Sequence, residues 1–136
     1  MRGLLKFLGG VACFLALPWS AIVLWGAFTP AVFLHYSDAA SEEIGVFFND
    51  NHDTDKFGMM PGETVTLRTA MFPRQEMWIL LTFPTDSTDS LEITKPFRRI
   101  DVCIGAGAKI EKTEIRHGWL DRFTEPKPSC KALFKR

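Results

Sequence analysis

Residues 98–117 read RRIDVCIGAGAKIEKTEIRH, and their pattern sets the fold class. Ile100, Val102 and Ile104 fall on one side of an extended chain, with Arg99, Asp101 and Cys103 on the other. That period of two is the mark of a half-buried strand. The GAGA stretch that follows supplies glycines for a tight turn, and residues 109–117 return as a second strand, so the segment is a hairpin. Ile110 and Ile115 are an odd number of residues apart, which predicts a bulge in the returning strand.

The same alternation extends outward. EIGVFF places Ile44, Val46 and Phe48 on one face, and TVTLRTAM places Val65, Leu67, Thr69 and Met71 on one face. SLEIT alternates through Leu91 and Ile93. MWILLTF, residues 77–83, is apolar on both faces, as in a central strand covered from two sides. Turn residues separate these segments at MMPGE, FPRQE and FPTDSTDS. Six or seven short strands at this spacing predict a mainly β domain, a small antiparallel β-sandwich with an immunoglobulin-like arrangement as the nearest named form. A half-open barrel is the alternative.

The N-terminus is of another kind. From Phe7 to Leu34 there is no charged residue. About 20 apolar helical residues cross a bilayer core, so this run is long enough to span. Pro30 closes the helix near Phe28. A cleaved signal peptide is the rival, but its apolar region covers about 7 to 15 residues. The expected organisation is an uncleaved anchor over 1–35, a linker over 36–42, the β-sandwich over 43–125 and a basic tail over 126–136. Arg2 and Lys6 precede the span, while HYSDAASEEIG after it carries three acids and no Lys or Arg. The positive-inside rule then keeps the N-terminus in the cytoplasm and exports the rest to the periplasm or the extracellular side.

Net charge is zero over the 136 residues, and beyond residue 35 there are 14 Lys and Arg against 16 Asp and Glu. A balanced surface gives no basis for nucleic-acid binding, which depends on neutralising phosphates. Residues 38–63 hold seven acids and only Lys56, while KPFRR (95–99) and the tail residues Lys127, Lys131, Lys135 and Arg136 are basic. Arg98, Arg99, Lys131 and Lys135 are therefore the expected partner-binding residues, on the end of the domain away from the membrane.

NDNHDTD, residues 49–55, most resembles chemistry. Asp50, Asp53 and Asp55 are candidate ligands for a hard cation such as calcium, but the glycine and the bidentate acid of an EF-hand loop are out of place. Asn and Asp also bond their own backbone in turns, and a plain loop is the stronger reading. His52 and His117 have no nucleophile and orienting group at fixed spacing, so no catalytic residue and no cofactor is assigned. Cys13 falls in the span. Cys103 and Cys130 are the two cysteines beyond it and are expected to form a disulfide after export. The predicted function is a non-enzymatic interaction domain tethered to the membrane: an accessory subunit, scaffold or inhibitor of an envelope or extracellular protein. An ion- or ligand-binding domain using residues 50–55 is the alternative, and the lipid bilayer is a partner through residues 7–28.

Overall fold

The computed structural model describes residues 14, 16–24, 28–69, 75–84, 88–118 and 120. Residue 14 and residues 16–24 are helical, as is Phe28. Thr29 and Pro30 are not, and among the described residues eight strands follow: β1 Ala31–Tyr36, β2 Ile44–Asn49, β3 Thr54–Met59, β4 Thr64–Arg68, β5 Ile79–Thr82, β6 Ser90–Ile93, β7 Arg99–Ile104 and β8 Ile110–Arg116. They form two four-stranded sheets, ordered β4-β1-β7-β8 and β3-β2-β5-β6. All pairings are antiparallel except β1 with β7, which run parallel from Ala31 opposite Arg99 to Tyr36 opposite Ile104.

Alternation sends one side of each strand inward. Val32, Leu34, Ile100, Val102 and Ile104 from the first sheet meet Val46, Phe48, Met59, Ile79, Leu81 and Ile93 from the second in one continuous core. Each such side chain contributes about 1.5–3 kcal/mol by leaving water. Tyr36 joins the core with its hydroxyl bonded to the Glu42 carbonyl at 3.0 Å. Its polar tip is therefore not left unsatisfied, as burial of a tyrosine requires.

Turn chemistry fixes the connections. In the Met60–Glu63 turn, Pro61 presets its own φ. Gly62 there has a positive φ of 79 degrees. The Glu63 amide donates to the Met60 carbonyl at 3.0 Å, and the Glu63 carboxylate accepts from the Met60 amide at 2.8 Å. In the 98–117 hairpin, Gly107 and Ala108 take positive φ. The bulge expected there is present: Cys103 pairs with Lys112 but Ile104 pairs with Ile110, leaving Glu111 extra.

Several sequence expectations are corrected. Residues 31–36, expected as the end of the anchor and the first residue of the linker, are a strand in the middle of a sheet. Thr54 and Asp55, expected in the loop of residues 50–55, open edge strand β3. The immunoglobulin order pairs the first two strands within one sheet, whereas β1 and β2 belong to opposite sheets. Strand β5 does have neighbours on both sides, yet only its inner face is buried, and Leu80 and Thr82 are half-buried on the outer face. Strand β4 ends at Arg68, and residue 71 lies outside the described residues.

Candidate functional site

Strand β7 is buried on both faces although it lies in a two-layer structure. Its inner residues are apolar. Its outer residues are Arg99, Asp101 and Cys103, at 0%, 4% and 1% exposure. A buried ionic pair needs its hydrogen-bonding capacity met, and here it is. Arg99 Nε donates to Asp101 Oδ2 at 2.7 Å, and Arg99 Nη2 donates to Asp101 Oδ1 at 2.8 Å. This is a two-pronged, charge-assisted contact between residues two apart on one strand face. The guanidinium carbon also sits 4.3 Å from the centre of the Phe33 ring, on neighbouring β1, where the ring face attracts a cation.

His35, two residues along β1 from Phe33, extends the cluster. Its Nε2 is 3.3 Å from Asp101 Oδ1 and its Nδ1 is 3.1 Å from Thr64 Oγ1 on β4. The network thus crosses three strands in the order Thr64, His35, Asp101, Arg99. Burial alone would raise the Asp101 carboxyl, but hydrogen bonds from His35 and Arg99 and the Arg99 charge outweigh it and hold its pKa at about 2. Among the described residues, no buried side-chain nitrogen or oxygen lacks a partner.

A hydroxyl, an imidazole and a carboxylate in this order resemble an acyl-transfer triad in composition only. In a working triad the carboxylate stabilises the imidazolium that forms. Here the carboxylate also answers to the Arg99 guanidinium, which neutralises it first. The arrangement locks β1, β4 and β7 together across their outer face.

The sequence-predicted residues are dispersed. Arg99 is fully buried and committed to Asp101, so it offers no surface to a partner. Arg98 is half-buried beside the helix end, its Nη1 donating to the Phe28 carbonyl at 3.4 Å. The expectation that KPFRR faces away from the anchor is corrected by that contact. Lys131, Lys135 and Cys130 lie outside the described residues. Cys103 is disulfide-bonded.

Residues 50–53 form the β2–β3 hairpin loop. Asp50 Oδ1 accepts from the His52 and Asp53 amides at 3.1 and 3.0 Å, and Asp53 Oδ1 accepts from the Thr54 amide at 2.7 Å. Asn51 takes a positive φ of 74 degrees. Asp55 belongs to β3, opposite Phe48. No group of three or more His, Cys, Asp or Glu among the described residues is placed to hold a metal ion.

Two of the clefts among the described residues lie on the outer face of the second sheet. One, of about 470 Å³, is lined by Glu76, Met77, Trp78, Leu80, Glu92 and Thr94. The other, of about 420 Å³, lies along β2 and β3 around Phe47, with Lys56 Nζ 4.9 Å from the centre of that ring. Sequence reasoning missed His35, Phe33 and Asp101. The signal for Asp101 was its place between Arg99 and Cys103 in the alternation, while His35 was hidden in a stretch assigned to the anchor. No protein-family model, no curated protein and no solved structure matches this chain.

Proposed function

We propose that this chain is a membrane-tethered, non-enzymatic interaction domain, anchored through residues 7–28 with the β-sandwich on the exported side. The observation that carries the reading is the state of the helical residues. Phe14, Leu17, Trp19, Ile22, Val23 and Leu24 are each more than half exposed, from 55% to 77%. A helix apolar all round belongs in a protein core or a bilayer, and these side chains have no core around them. No helix among the described residues is long and apolar enough to cross a membrane; residues 1–13, 15 and 25–27 lie outside that description. The uncharged run from 7 to 34 supplies the length. The disulfide at Cys103 supports export, because such bonds persist in oxidising compartments.

In this reading the sandwich presents surfaces and does no chemistry. Its most prominent polar cluster is internally neutralised. The half-buried Phe47, Trp78 and Leu80 on the outer face of the second sheet offer apolar contact to a protein partner. Fractionation tests the tether. The full chain is expected to stay with membranes through alkaline and high-salt washing, because a spanning helix is not released by charge screening. Recovery in the wash with an N-terminus after residue 21 or 31 would mean a cleaved signal and overturn the tether.

A further inference from the structure

The register of the first sheet gathers arginines where the helix enters. Ala31, the first residue of β1, is the Cα partner of Arg68 on one side and Arg99 on the other, and Arg99 is the partner of Arg116. The Ala31 amide donates to the Arg98 carbonyl at 3.2 Å, the Thr69 amide to the Pro30 carbonyl at 3.2 Å, and the Arg98 amide to the Arg116 carbonyl at 3.0 Å. Arg68, Arg98, Arg99 and Arg116 therefore sit within a few strand spacings of about 4.8 Å each. The chain between Phe28 and Ala31 reaches at most about 10 Å, so this end of the sandwich is held against the end of the helix.

The four are not equivalent. Arg99 is taken by Asp101, and Arg116 by Glu114 at 2.7 Å. Arg68 and Arg98 pair with no carboxylate among the described residues: Arg68 is exposed, and the contact of Arg98 is the Phe28 carbonyl. Acids are present at the same end, since the strand directions bring the 50–53 loop there. Asp50 and Asp53 accept from neighbouring backbone amides and keep their charge, but they belong to the β2–β3 loop of the second sheet, whereas Arg68 and Arg98 flank strands of the first. We infer that Arg68 and Arg98 form a docking surface for anionic phospholipid headgroups, seating the sandwich on the bilayer beside its own helix. The inference rests on the tether proposed above. Guanidinium groups suit phosphate by their planar array of donors, and each basic side chain near an anionic surface strengthens binding about fivefold.

The test uses the full chain with vesicles of zwitterionic phosphatidylcholine, and with vesicles containing an anionic phospholipid. Flotation with the zwitterionic vesicles after alkaline washing reads the tether alone. Amide exchange at Ala31, Thr69 and Arg98 reads the docking. It should slow by about tenfold or more in anionic vesicles, the scale that two near-surface arginines supply. R68Q/R98Q should abolish the slowing without changing flotation, and R68K/R98K should restore most of it. Slowing by inorganic phosphate alone to the same degree would reassign the site to a free anion and overturn the headgroup assignment. Flotation with exchange identical in the two lipids would overturn the docking and leave the tether standing. Arginine-dependent slowing only in anionic vesicles, without zwitterionic flotation, would overturn the tether and keep the docking.

Discussion

Asp101 shows how one carboxylate can tie together three strands. It accepts from Arg99 on its own strand and sits within reach of His35, which in turn meets Thr64. Its folded pKa, about 2, lies below the ordinary 3.8. A depressed carboxyl contributes stability that is fully present above the unfolded value and disappears as pH falls through the folded one. The domain is therefore expected to lose about 1–2 kcal/mol between roughly pH 4 and pH 2 from this group, after allowing for screening near the surface. Asp101→Asn removes that acid-sensitive component and, by leaving Arg99 buried beside a neutral partner, costs about 3 kcal/mol at neutral pH. Urea titrations of both proteins at a series of pH values check both parts; parallel pH profiles would show that Asp101 is not the source. The sequence discloses part of this. Alternation sets Arg99 opposite Ile100 and Val102, but alternation says only which face a side chain takes. It does not say whether that face is covered, and so the sequence alone puts Arg99 at the surface.

At the scale of elements, the sequence discloses strands where apolar residues alternate and hides them where they do not. Thr54–Met59 has Asp55, Lys56 and Gly58 interrupting the pattern, as suits an edge strand whose outer side meets water. Ala31–Tyr36 is hidden for the opposite reason, because its apolar residues continue the preceding apolar run without a polar break. Pro30 marks the end of a helix but carries no sign that a strand begins. The Asp-rich segment is legible as a turn, because Asn and Asp satisfy amides locally. Its Asn51 offers a test, since it holds a positive φ of 74 degrees. That region is costly for a β-branched side chain. Asn51→Val is expected to destabilise by about 1–2 kcal/mol, and Asn51→Gly to leave stability nearly unchanged. The denaturation midpoint should shift in the first variant alone, with unchanged slope in both.

For the whole molecule, the mainly β architecture is legible because turn residues recur between short alternating segments. The pairing of the sheets is not, because nothing local shows that β1 must wait for β7. The covalent link is a matter for the same scale. Cys103 is bonded, and a bond to Cys130 would close a loop of about 27 residues, for which chain entropy gives roughly 3–4 kcal/mol. Peptide mapping of unreduced protein should recover the peptides containing Cys103 and Cys130 joined; recovery of Cys130 as a free thiol would exclude the pairing. The place of β1 also has a mechanical consequence. This strand follows directly on the helical segment and is held by two ladders, five residue pairs to β4 and six to β7. A pull transmitted through the helical segment runs along the strand axis and loads both ladders in shear, so many hydrogen bonds must fail together. The edge strands would peel one bond at a time under a sideways load. Resistance to such a pull is governed by the unfolding rate and not by the equilibrium stability. The strand next to the helical segment is thus an interior one, placed to bear tension.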